Sequence, residues 1–261
     1  MDEDNTCDND AANQPKYKPM SEIDPSALRE ALCKLNLLGD DLFLRMQAFN
    51  LMIVDGFISE LEAGVLDRLI TEERTPVPEA AFLAAQSQMW IFAAYELLRT
   101  WRQRAGDIIK WHENGGLELK LKVLEEDVGY SHIGRSSRAA QIRKVLAEPS
   151  LISAIRQDIR RTHILFVRLE AIRISLAKHE LRRQSGSVAL APGHGRINQW
   201  CGSLDYELEN GQYSMGYINR RDIADEIRAL LITNIIPTDD EIASFEEFMR
   251  GPTEMPFSGR E

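Results

Sequence analysis

Apolar side chains recur at helical intervals along most of this chain. Leu28, Leu32 and Leu35 follow Asp24-Pro25-Ser26, an opening in which proline suits the first helical position, and Gly39 closes the run. A second run, 40–54, carries Leu42, Leu44, Met46, Phe49 and Ile53, and Gly56 is expected to break it. Ser59 with Glu62 three residues later has the form of a capping box and opens a third helix reaching Ile70. EERTPVPE, at 72–79, reads as a linker, because each proline disfavours helix at the residue before it. The strongest helical pattern, 80–109, then carries Met89, Phe92, Ala93, Leu97, Trp101 and Ile108 and stops at the glycines of HENGG.

The middle of the chain is patterned less evenly. Residues 116–127 alternate like a strand, yet their Glu, Lys and Leu content favours a helix, which is the expectation adopted. A short helix at 137–147 precedes Pro149. From 150 to 184 there is no Gly or Pro, and Ile152, Ile155, Ile159, Phe166, Leu169 and Leu176 form one stripe, so a single long helix is expected. Its natural partner is the 80–109 helix, packed antiparallel.

The character changes after 184. Tyr206 and Leu208 alternate with charged residues, Tyr213, Met215 and Tyr217 alternate in turn, and Asn210-Gly211 between them is a hairpin signal. Residues 196–201 are candidates for a third strand. A helix with Ile223, Ile227, Leu230 and Leu231 on one face follows, and a last acidic helix begins at Thr238 or Asp239. The expected fold is mainly α: a helical bundle with two long antiparallel helices plus a small C-terminal β-hairpin/helix unit. Its segments are an acidic tail at 1–25 expected to be disordered, an N-terminal helical subdomain at 26–71, the linker at 72–79, the bundle at 80–184, the hairpin and helices at 185–250, and a loose tail at 251–261.

Composition and charge narrow the options. No apolar run approaches the roughly 18–20 residues of a membrane span, so no membrane partner is expected. The acidic start, MDEDNTCDND, lacks the apolar segment of a secretory signal, which makes a cytoplasmic location the default expectation. The three cysteines form no CxxC pair, and no histidine repeats at HExxH spacing, so neither a metal nor another cofactor is expected. DGFISELE has the look of half a calcium loop, but Leu51 and Ile53 stand where oxygen ligands belong, so the stretch is read as a helix junction. The net charge of −10 hides a basic middle: residues 99–183 carry 18 basic and 10 acidic side chains. Such a stretch either attracts nucleic acid or an acidic protein, or neutralises the acidic remainder of the chain. Arg99, Arg102 and Arg104 with Trp101 are the candidate binding group, joined by Arg182 and Arg183. Trp90 and Trp101 are eleven residues apart and so share a helix face, which suits core packing, a dimer contact or base stacking.

One stretch carries a candidate chemistry. RISLAKHELRR places Arg173 and His179 late in the 150–184 helix with five residues between them. This resembles the Arg-x(4–6)-His motif of HEPN domains, over about residues 80–184. The resemblance implies a metal-independent ribonuclease in which Arg173 steadies the transferring phosphate, His179 moves protons, and two protomers form the cleft. Ile174 departs from the family, which commonly has a polar residue there. On an ideal helix the two side chains point about 120° apart, so they converge only at a bend, a helix end or across a dimer. The sequence favours a non-enzymatic interaction or scaffold protein that self-associates through its long helices, with the basic face as recognition surface for nucleic acid or an acidic partner. A HEPN-like ribonuclease is the alternative.

Overall fold

A computed structural model describes residues 17–130, 132–177, 195–209 and 214–250. Those residues form a helical bundle with two long antiparallel helices and a small three-stranded antiparallel sheet near the C-terminus, as the apolar pattern predicts. The first helix, α1 (Ala27–Lys34), buries Leu28, Ala31 and Leu32. The chain then turns tightly: a Cβ on Gly39 would lie 2.3 Å from the Cys33 carbonyl oxygen, so only glycine fits. Asp41 caps α2 (Leu42–Glu72), its carboxylate accepting from the Phe43 and Leu44 N–H groups at 3.0 Å.

Helix α2 runs straight through Gly56 and Ser59, where two helices and a break were expected. A glycine inside a helix costs about 1 kcal/mol, which long flanking helices absorb. The proline-rich segment also behaves differently from the expected linker. Glu73 turns in the left-handed region, Pro76 precedes the next helix, and Pro78 lies in that helix's first turn, where its missing N–H has no partner to lose. The prolines thus shape the tight turn of a hairpin between α2 and α3 (Val77–Glu113). The 26–71 segment and the bundle share one apolar cluster, to which α1, α2 and α3 all contribute.

Around α3 lie α4 (Leu117–Glu125), α5 (Ile133–Ala147), α6 (Leu151–Arg161) and α7 (His163–Ala177). The long helix expected over 150–184 is broken at Thr162. The Arg102 guanidinium donates to the Ile159 carbonyl at 2.8 Å and to the Thr162 hydroxyl at 3.0 Å, while that hydroxyl donates to the Asp158 carbonyl. A side chain from α3 thereby takes up a carbonyl at the end of α6 and fixes the bend. The longest partner of α3 is consequently α2, with α6 and α7 packing on it as separate pieces.

Strands β1 (Arg196–Ile197), β2 (Leu204–Glu209) and β3 (Ser214–Ile218) form the sheet in that order, with Tyr206 opposite Ile218 and Glu207 opposite Tyr217. Leu204, Tyr206 and Leu208 face the core, as their alternation predicts. The expected Met215 and Tyr217 face is divided. Gly216 has φ +92° beside an irregularity in the register, and Tyr217 points to solvent while Ile218 is buried. Asn219 and Asp222 form a capping box on α8 (Arg220–Ala229), and Thr238 caps α9 (Asp239–Arg250). Residues 17–24, assigned by sequence to the disordered acidic tail, are held at their start: the Tyr17 hydroxyl donates to Asp222 at 2.7 Å.

Candidate functional site

The basic middle of the chain is largely spent on internal pairing. Arg104 meets Asp41 at 2.5 Å, Lys144 meets Asp40 at 2.8 Å, and Arg156 meets Glu113 at 2.5 Å. Arg161 pairs with Asp158, Arg168 with Glu226, and Arg99 with Glu96 on its own helix. Arg102 points inward to the α6–α7 bend and lies over the Phe166 ring, and burial lowers its pKa. Trp101 is fully buried and donates its indole N–H to the Asn36 carbonyl at 2.8 Å, so its ring packs in the core and presents no stacking surface. Trp90, on the same face of α3, is buried too and donates to the Leu51 carbonyl at 3.1 Å. The four residues Arg99, Trp101, Arg102 and Arg104 therefore do not converge on one open face.

Arg173 lies with its guanidinium 5.0 Å from the centre of the Tyr95 ring. That ring stacks on Phe166 and its hydroxyl donates to Glu170 at 2.9 Å. His179, Arg182 and Arg183 lie outside the described residues. Among the described residues no group of three or more His, Cys, Asp or Glu is placed to hold a metal ion. No helix among them is long and apolar enough to cross a membrane.

Two features of α2 stand out instead, on opposite faces. The inner face carries Asp55, Ser59 and Glu62, which are buried. At these spacings they form one polar stripe on a helix. Arg220, fully buried at the start of α8, donates to all three: to Glu62 Oε1 at 2.9 Å and Oε2 at 2.5 Å, to Ser59 at 3.2 Å, and to Asp55. Arg228 reaches the second oxygen of Asp55 and also pairs with Asp225. The Arg220 guanidinium sits 5.5 Å from the centre of the Trp90 ring. Burial alone would lower its pKa, but the Glu62 and Asp55 carboxylates outweigh that and raise it, so the group stays charged. These are the residues that resembled half a calcium loop; here they anchor the C-terminal unit to α2. Close by, Gly202 (φ +74°) brings the β1–β2 turn onto α2, where a Cβ would lie 2.0 Å from the Glu62 carbonyl oxygen.

The outer face of α2 is apolar and open. Leu42, Phe43, Met46, Phe49, Ile53 and Phe57 are all exposed, with Met46 at 55% and Phe57 at 68%. At about 100° per residue these positions fall within roughly one third of the helix circumference, opposite the buried side chains Leu44, Ala48, Leu51 and Asp55. A groove of about 350 Å³ runs beside this stripe between α2 and α3, lined by Asn50, Leu51, Val54, Met89 and Trp90 among others. The sequence pattern recorded these apolar residues but did not divide them between two faces. The signal was present: between 42 and 57 apolar residues fall on every side of a helix, more than one buried face can take up.

No family model, no curated protein and no solved structure matches this chain.

Proposed function

We propose that this protein is a non-enzymatic interaction protein that docks through the outer face of α2. One observation carries this reading. Large apolar side chains of a helix are ordinarily turned to the core, whereas α2 buries one mixed face, where Leu44, Leu51, Ile58 and Val65 flank the Asp55–Ser59–Glu62 stripe, and leaves six large apolar side chains of the other exposed. Monomeric soluble proteins seldom expose a contiguous apolar patch of that kind unless it meets a partner. The groove beside it extends the contact surface towards α3, and the buried Arg220 cluster fixes α2 from behind so that its outer face is held rigid. Arg99, Arg102 and Arg104, three of the arginines that nominated a nucleic-acid surface, are engaged within the chain, which favours an apolar partner over a phosphate backbone.

The test is a photo-reactive phenylalanine placed at Phe57 and, as control, at exposed Lys122, in cells that make the protein. The expected result is a discrete crosslinked adduct from position 57 that position 122 does not give and that Ile53→Glu abolishes. No adduct from position 57 overturns the reading. Labelled RNA incubated with the purified chain in EDTA is expected to stay intact. Cleavage by wild type and not by His179→Ala would replace this reading with a HEPN-like ribonuclease.

A further inference from the structure

We infer that the occupant of the α2 face is a second copy of this chain, paired antiparallel along α2. This rests on the docking reading above and adds the partner and its register. Leu42, Met46, Phe49, Ile53, Gly56 and Glu60 are spaced four, three, four, three and four residues apart, which is the heptad spacing of a helix that packs along another helix. The first four are exposed apolar side chains, Gly56 presents no side chain at all, and Glu60 is exposed.

Orientation follows from charge. Arg45 lies near the start of the stripe and Glu60 at its end, and both are exposed. Parallel pairing would set Arg45 against Arg45 and Glu60 against Glu60 of the second copy, which is unfavourable. Antiparallel pairing about a twofold axis level with residue 51 puts Arg45 within about 4.5 Å, along the axis, of Glu60 in the second copy, an offset that an arginine spans.

Shape agrees with the same register. Phe49 falls level with Ile53 of the second copy and Met46 with Gly56, while at each end of the seam Leu42 falls level with Glu60. On the flank, Phe43 lies beside Phe57 and Asn50 beside Asn50. Gly56 is the seam position that tests this register. A Cβ there would meet nothing within 4 Å in the single chain, so no packing within the chain requires a glycine, although glycine costs a helix about 1 kcal/mol. Its missing side chain forms a notch, and the antiparallel register delivers a methionine, the most adaptable apolar side chain, into that notch. The arrangement is self-complementary, as a twofold interface must be.

The test is sedimentation of the purified full chain across a dilution series, with four variants. Wild type is expected to dimerise. Gly56→Leu is expected to weaken the dimer about a hundredfold by filling the notch, while the melting temperature of the monomer, taken at dilution below the dimer's dissociation constant, holds or rises, because leucine is the better helix former and its Cβ meets no neighbour. Arg45→Glu and Glu60→Arg are each expected to weaken the dimer about tenfold, and the double exchange to restore it. A wild type that stays monomeric to about 100 μM overturns self-pairing. In that case an adduct from position 57 of any mass other than twice the chain keeps the docking reading with a different partner, and no adduct ends both. A dimer that the double exchange does not restore overturns the antiparallel register.

Discussion

Replacing Arg220 by methionine removes the centre of the buried cluster while keeping most of its volume. The consequence can be worked from its partners. Asp55 retains Arg228, so one carboxylate stays compensated. Glu62, which is 0% exposed, loses both hydrogen bonds it accepts from Arg220 and has no other cation in contact among the described residues. Breaking a buried ion pair from one side costs about 3–5 kcal/mol, because an uncompensated charge stays behind. In a chain of this size about 1 kcal/mol moves the melting temperature by roughly 2–4 °C, so a fall of about 6–20 °C is expected. The assay is urea unfolding followed by far-UV circular dichroism, completed as a cycle with Glu62→Leu and the double variant. The double variant is expected to recover most of the loss, since an apolar pair of similar volume replaces a buried ion pair at little net cost. A loss below about 1 kcal/mol for Arg220→Met, or a double variant no more stable than the single one, would refute the reasoning.

Three further outcomes follow from the same packing. Gly202→Ala is expected to destabilise by about 2 kcal/mol or more, since its φ of +74° is unfavourable for alanine and the new Cβ would collide with the Glu62 carbonyl; equilibrium unfolding within 0.5 kcal/mol of wild type, about the scatter of a neutral surface change, would contradict this. Arg102→Met is expected to cost about 1–3 kcal/mol and to speed amide exchange around 159–163, because the Ile159 carbonyl and Thr162 hydroxyl lose their donor at the α6–α7 bend; unchanged exchange there would argue against the bend being held by Arg102. Stability is expected to fall in alkali. Burial, reinforced by Glu62, pushes the Cys201 thiol and the Tyr206 phenol up to about 12, so the stability tied to their protonated forms is complete below pH 9.0 and is lost as pH rises through about 12. Thermal melts should decline across that window, less steeply at its lower end for Cys201→Ala; identical slopes would remove Cys201 from the account.

The sequence by itself determined the local elements and the overall class. The 80–109 stripe, the glycines after it, the alternation of Leu204, Tyr206 and Leu208 and the cap of α9 are patterns among near neighbours, so they are written in consecutive residues, while the Asn210-Gly211 turn signal lies outside the described residues. What it could not determine were contacts made across long stretches of chain. The break at Thr162 needs Arg102, 60 residues earlier, and nothing within 150–184 announces it. Asp55 and Glu62 look like a loop fragment until Arg220, 165 residues beyond Asp55, reaches them. Gly56 reads as a stop in isolation, yet the packing of a 31-residue helix carries it through. The sequence left the basic middle open between a recognition surface and internal pairing, and only the packing brings Asp41 at the cap of α2, Glu226 of α8 and Asp239 of α9 beside Arg104, Arg168 and Arg160. Apolar periodicity says that a helix has faces to bury. Only the tertiary structure decides which face of α2 is covered and which is left for a partner, because burial depends on every element packed around the helix.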